Sequence, residues 1–195
     1  MRPETLLAKF DLKGLNYEQM HNGGGKGQFS LEDQLAMVGI TWKESPIGFL
    51  VLFAETQGNA HSRRMLEKAV MLELIAQTAD WRGQKSEQAF NAVVNAAIEE
   101  AISPMGKICP TCSGSGVYKN ANYTKRNCQH CKEGRVSWDS EIRFASVCSG
   151  GFACTYSVFK RYYLPVLESL ARWLSDKRNA AMLALMNRIE QEEAA

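Results

Sequence analysis

The chain has 195 residues, 45% of them hydrophobic and 23% charged, a balance that excludes a wholly disordered polymer and leaves room for one ordinary domain or two small ones. Its longest nearly apolar run, residues 47–54, is far shorter than the roughly 20 residues a membrane helix needs, so no membrane partner is expected. Residues 1–4 lack the basic-then-apolar layout of a secretory signal, which makes the cytoplasm the expected compartment. With three histidines and no repeated acidic motif, an enzyme is not expected.

The net charge of +2 conceals a step. Residues 1–106 hold 10 basic and 13 acidic side chains, residues 107–178 hold 12 and 5, and residues 179–195 hold 1 and 3. A basic segment between mildly acidic ones suits contact with a polyanion through one region only. An uneven but merely solvated surface is the competing reading.

In chain order, residues 1–29 read as a flexible arm, and Asn22-Gly23-Gly24-Gly25-Lys26-Gly27 as a linker. A phosphate loop there would need a preceding apolar strand and a Ser or Thr after the lysine, and has neither. A helical domain follows over 30–106. Ser30-Leu31-Glu32-Asp33 has the form of a capping box, with Leu31, Leu35 and Val38 on one face and Gly39 closing the segment. Ser45-Pro46 suits an N-cap with proline at the first helical position, opening residues 47–55, although a buried strand fits that run as well. Residues 62–81 predict a longer helix. Residues 86–102 predict the clearest one, with Phe90, Val93, Val94, Ala97, Ile98 and Ala101 on one face and Pro104 beyond its end.

Residues 107–136 are too poor in apolar side chains to order themselves by burial. Within them, Cys109, Cys112, Cys128 and Cys131 form two Cys-x2-Cys pairs separated by 15 residues, the spacing of a zinc ribbon. Four thiolates close a tetrahedral sphere, so one structural Zn2+ is expected, with no open position for water. His130 lies between two better-placed ligands and is expected at the surface. Cys148 and Cys154 stand outside the pattern and read as small thiols rather than a disulfide.

Residues 137–195 return to helical patterning: a short helix over 137–147, a break at Ser149-Gly150-Gly151, a second helix from 155 towards 174 kinked at Pro165, and a last helix over 179–192 with Met182, Leu185, Met186 and Ile189 on one face. Helix, glycine turn and helix make a helix-turn-helix candidate, with Ile142, Ala145 and Val147 expected to pack against Val158, Phe159 and Tyr162. Thr155, Tyr156, Ser157, Lys160 and Arg161 then fall near the start of the second helix, where they suit phosphate or base-edge contacts. Lys119, Lys125, Arg126, Lys132 and Arg135 add a basic ribbon surface interleaved with Tyr118 and Tyr123. The expected fold is mainly α, with a helical N-terminal part, a zinc ribbon insert and helix-turn-helix-like C-terminal helices.

The stretch Cys109-Pro110-Thr111-Cys112-Ser113-Gly114-Ser115-Gly116, the 15-residue spacer, Cys128-Gln129-His130-Cys131-Lys132-Glu133-Gly134 and the basic two-helix tail resemble the lambda-type antitermination protein Q family of lambdoid bacteriophages. The opening Met1-Arg2, then Ala8-Lys9-Phe10, and the chain length are also similar. The resemblance covers most of the chain and is firmest over 107–178. It implies a transcription antitermination factor, not an enzyme. Such a protein binds a specific double-stranded DNA element of a late promoter and joins paused RNA polymerase holoenzyme with its sigma factor. Acting in the cytoplasm of the bacterial host, at the nucleoid, it lets the polymerase read through terminators into phage late genes. Carried over, the zinc ligands are the four cysteines named, and the DNA face comes from the second helix and the ribbon. The second knuckle has one glycine where the pattern has two, which keeps the ligands and leaves the shape of that loop open.

Two other classes stay open. The cysteine-rich region of DnaJ-type co-chaperones uses similar knuckles, but four of them, and this chain has two and no J-domain signature. RNA binding fits a basic ribbon but lacks the aromatic stacking motif of the RNA-recognition domain.

Overall fold

The computed structural model describes residues 2, 3, 6, 7, 10, 11, 14, 15, 31–119 and 124–194. The linker at 22–27, the cap at Ser30 and Tyr123 lie outside the described residues. Among those described, the fold is mainly helical, with a small hairpin insert that carries the four cysteines. No helix among them is long and apolar enough to cross a membrane. The chain divides into two compact units, residues 1–76 with 169–195, and residues 77–168.

The first unit contains α1 (Leu31–Glu44), α2 (Pro46–Gln57), most of α3 (Ala60–Gln77) and most of α6 (Leu164–Ala194), with a short antiparallel pair, β1 (Phe10–Asp11) and β2 (Gly14–Leu15). Its core gathers Leu6, Leu7, Met37, Val38, Phe49, Leu52, Phe53, Ala181, Leu185 and Ile189. The expected arm is therefore packed at Leu6 and Leu7. Trp42, Phe49 and Phe53 form an aromatic triangle with centroids 5.9–6.2 Å apart. Gly48 is where α2 meets α6: a Cβ there would collide with the Lys177 carbonyl, so only glycine permits the approach. Next to Lys177 in the chain, Arg178 donates from Nε and Nη2 to the two carboxylate oxygens of Glu55, at 2.6 and 2.9 Å.

Residues 46–57 resolve as helix rather than strand. Ser45 stands at the N-cap position, but its hydroxyl donates to the Lys177 carbonyl instead of capping. Gly39 does not end α1, which runs on to Glu44; its intrinsic cost of about 1 kcal/mol is small beside the burial of Met37, Val38 and Thr41 around it.

The second unit contains α4 (Glu87–Ala101), four short strands, and α5 (Ser140–Ser149). Helix α4 follows the sequence closely: the Ser86 hydroxyl accepts from the Ala89 amide, and alanines at 89, 92, 96, 97 and 101 are buried. Helix α5 starts three residues later than expected because Asp139, whose carboxylate accepts from the Glu141 and Ile142 amides, is its cap. Gly150, at the end of α5, sits tightly against Ala92 of α4.

After α5 the chain makes one helical turn (Tyr156–Val158), a π-helical stretch (Phe159–Tyr163), and enters α6. The second and last helices expected from sequence are one helix of 31 residues. Proline cannot donate to the carbonyl four residues back, and its ring collides with it. The wide turn just before Pro165 opens the backbone there, so the helix runs on through the proline as expected, and it also continues across 174–179, where two separate helices were expected. The wide turn also moves the inward register. Phe159 and Tyr163 are buried, whereas Tyr162 is half-buried and Val158 is exposed. On α5, Val147 is buried as expected, but Phe144 rather than exposed Ala145 meets the next helix, its ring 5.3 Å from those of both Tyr156 and Phe159. Met186, expected on the inner face of the last helix, is turned out.

Candidate metal centre

The cysteine segment folds as two small antiparallel ladders, β3 (Lys107–Ile108) with β6 (Arg135–Val136), and β4 (Val117–Lys119) with β5 (Lys125–Asn127). Each knuckle then reverses on residues with positive φ. In the first these are Ser113 (50°), Gly114 (85°) and Gly116 (70°); in the second, Glu133 (52°) and Gly134 (86°). The second loop makes its reversal one residue further past its cysteine than the first. Backbone bonds lock the knuckles to the ladders: the Cys109 amide donates to Gly134 and the Cys128 amide to Gly116, both at 2.8 Å.

This folding brings Cys109, Cys112, Cys128 and Cys131 into one cluster, with all four Sγ atoms within 4.8 Å of one another. Cys109 and Cys128 stand 4.0 Å apart, and Cys112 and Cys131 stand 3.5 Å apart. A tetrahedron with metal–sulfur bonds of about 2.3 Å has edges of roughly 3.8 Å, so the cavity between the sulfurs has the size of one such ion. Cys109, Cys112 and Cys128 are buried and Cys131 is half-buried. An open cleft of about 750 Å³ runs past Cys131, with Gln129, His130 and Lys132 on its wall, and provides an entry path from solvent. His130 is exposed, as expected.

The sulfurs do not ionise alike. Burial opposes the Cys109 thiolate, but the Cys112 and Thr111 amides and the neighbouring Cys131 and Cys112 outweigh it and bring Cys109 down to about 6. Cys112 is also lowered, against burial, chiefly by Cys131 and the Gly116 amide. Burial, then Cys112 and Cys128, push Cys131 up to about 12. Crowded thiols thus resist losing all their protons together, and a central cation removes that conflict by stabilising every thiolate at once. The donor set and its dimensions fit a soft, tetrahedral metal ion.

Two polar clamps hold the ribbon's surroundings. Lys107 reaches Glu99 on α4 (3.1 Å) and the Ser146 hydroxyl on α5 (2.8 Å). Arg143 on α5 donates twice to Glu100, at 2.7 and 2.8 Å, and once to Glu168, at 2.9 Å; those contacts raise its affinity for its proton further. Trp138 donates its indole N–H to the Ser103 carbonyl. Sequence reasoning did not find these residues. The signal for Arg143 was faint: a lone arginine in a short helix with an apolar face.

The residues expected at a nucleic-acid face fall into two groups, one on the ribbon and one at the start of the second helix. On the β4–β5 hairpin, Lys119 pairs in register with Lys125, and Tyr118 with Arg126. Lys125 and Arg126 are exposed, and the Lys119 side chain lies outside the described residues. Arg135 donates to the Gly106 carbonyl at 2.8 Å and so also fastens the ribbon to the chain leaving α4. In the second group, the Thr155 hydroxyl caps the helix by accepting from Val158, and the Tyr156 hydroxyl shares a hydrogen bond with Ser140. Ser157, Lys160 and Arg161 are exposed, with the Arg161 guanidinium 5.3 Å from the centre of the Tyr162 ring.

Cys148 and Cys154 are half-buried free thiols outside the cluster; burial and then the nearby Cys148 raise Cys154. In comparisons with known proteins, no protein-family model and no curated protein matches the chain.

Proposed function

We propose that the four-cysteine cluster holds one structural Zn2+ and that the ribbon with the following helix forms a platform for duplex DNA, in a transcription antitermination factor. The observation that carries the metal reading is the sulfur quartet, whose spacing matches a tetrahedral thiolate shell. Zinc is favoured because it is redox-inert, accepts four thiolates without a geometric penalty, and leaves no site for chemistry. The ion's binding energy then supplies the order that this apolar-poor segment lacks.

The DNA reading draws support from the basic segment 107–178, the exposed Lys125 and Arg126 on the hairpin, and the exposed Lys160 and Arg161 at the head of the next helix. The six residues from Gly150 to Thr155 between α5 and the Tyr156 turn are more than the three or four of a tight helix-turn-helix. The second helix therefore presents its N-terminus on a longer tether. Recruitment to paused RNA polymerase with its sigma factor, and readthrough into late genes, are proposed on the resemblance of the cysteine segment and basic tail to the lambda-type antitermination family.

Selection of bound duplexes from a random pool, with and without a chelator, followed by terminator readthrough with purified bacterial polymerase on a template carrying the selected site, tests both halves. Metal-dependent enrichment of one sequence together with increased readthrough is the expected result. Enrichment without readthrough leaves a DNA-binding protein of another kind, and no enrichment overturns the DNA reading.

A further inference from the structure

Two helices of the first unit carry exposed strips that no part of the proposed DNA platform uses. On α3, Leu72 is 70% exposed, Ile75 52% and Met65 41%, and Lys68 beside them is exposed. The opposite face, Ser62, Leu66, Val70 and Leu74, is the buried one. At the end of α6, Leu183 is 59% exposed and Met186 41%, followed on the same face by exposed Glu190 and Glu193. Large aliphatic side chains exposed in a row on a helix mark a contact surface more than isolated ones do.

The strips are complementary in spacing, polarity and charge. Met65, Lys68, Leu72 and Ile75 recur at intervals of three, four and three residues, and so do Leu183, Met186, Glu190 and Glu193. This is the spacing of a coiled-coil seam. Each strip spans 11 residues, about 15 Å of helix from first to last. With Arg64 beside Met65, the α3 strip runs from a basic half to an apolar one, and the α6 strip from apolar to acidic. Laid antiparallel, Ile75 falls opposite Leu183, Leu72 opposite Met186, Lys68 opposite Glu190, and Met65, with Arg64 beside it, opposite Glu193. Laid parallel, the basic end would face the apolar end of the other strip, and neither charge would meet its opposite.

We propose that these strips form the interface of a two-fold symmetric dimer of this chain, with α3 of each copy packed antiparallel on the end of α6 of the other. A two-fold axis makes each contact occur twice, doubling the buried surface and closing the assembly. The occupant of the apolar face is thus a second copy, selected by charge complementarity between a Lys68 and a Glu190 that belong to different molecules.

Sedimentation velocity of the purified full-length protein tests this with the variants Lys68→Glu, Glu190→Lys, their combination, and Leu72→Ser. The three substituted positions are exposed, and all four variants are expected to leave the circular dichroism unchanged. The wild-type protein is expected to dimerise at micromolar concentration. Each charge reversal should raise the dissociation constant at least about tenfold, and the double reversal should bring it back to within roughly threefold of wild type. Leu72→Ser should weaken the dimer with no rescue by Glu190→Lys. A monomeric wild-type protein overturns the proposal. So does a dimer indifferent to these substitutions, or growth into larger assemblies with rising concentration.

Discussion

Gly134 lies so close to Gly114 that a Cβ at position 134 would overlap the Gly114 carbonyl oxygen. The two knuckles are therefore stacked through a pair of residues that have no side chains, and the sulfur quartet depends on that stacking. Gly134→Ala adds the overlap to the strain of an L-residue at φ +86°, the strain alone being worth roughly 1–3 kcal/mol. Gly151 separates the two effects, since it has φ +90° and open space where a Cβ would stand. Gly134→Ala should lose metal to a chelator far more readily than wild type, and Gly151→Ala should not. Equal retention by all three proteins would show that the knuckle contact does not hold the site.

How far the sequence reveals this architecture depends on the range of the interaction. The cysteine cluster is legible because metal ligation imposes its spacing locally on each knuckle. Helix α4 is legible because Ser86, the apolar period and Pro104 all lie within it or at its ends. The π-turn before Pro165 is not, because it is held by Phe159 and Tyr163, which pack among Phe144, Phe152 and Trp81 from other elements. Proline read alone predicts a kink. The Arg143 clamp is hidden for the same reason, since its partners Glu100 and Glu168 are 43 and 25 residues away.

That clamp predicts an unequal response. Arg143 and Glu100 are 17% and 15% exposed in their side chains, while Glu168 is 44% exposed. Arg143→Ala strands a largely enclosed carboxylate between α4 and α5 and should cost roughly 2–4 kcal/mol, near the lower end for breaking a buried pair. Glu168→Gln removes only the exposed arm and should cost less than about 1 kcal/mol. Arg143→Lys should recover part of the loss, because an ammonium cannot bond both Glu100 oxygens in a fork. Urea denaturation measures all three. A Glu168→Gln loss as large as that of Arg143→Ala would place the strength of the clamp on the wrong arm.

Metal removal should act on the ribbon before the helices. Its strands are two or three residues long and largely exposed, whereas α4 and α5 keep their own buried face at Ala92, Val93, Ala96 and Val147. A strong chelator should abolish the protection of the Cys109 and Cys128 amides from hydrogen exchange while leaving most of the helical circular dichroism. Cys112→Ser should do the same without a chelator, and Cys148→Ser should bind metal normally. Cobalt(II) in place of zinc should give the absorption of a tetrahedral thiolate site in wild type and in Cys148→Ser only. Stoichiometric metal in purified Cys112→Ser would refute the ligand set.

The exposed cations at the head of the long helix provide the sharpest test of the DNA platform. Arg161 lies over Tyr162, an exposed fork already oriented by the ring, and Lys160 extends beside it. If Arg161 reads a base edge, Arg161→Ala should cost about 1–3 kcal/mol on the selected site and relax the preference at one position. If Lys160, Lys125 and Arg126 contact phosphates, each alanine variant should weaken specific and non-specific duplexes alike and reduce the slope of log affinity against log salt by roughly 0.9. Arg135→Ala should differ from both: its bond to the Gly106 carbonyl fastens the ribbon, so stability should fall together with affinity. Titrations at several salt concentrations, with denaturation of each variant alongside, distinguish the three patterns. Unchanged affinity and slope in all four surface variants would remove this face from DNA recognition.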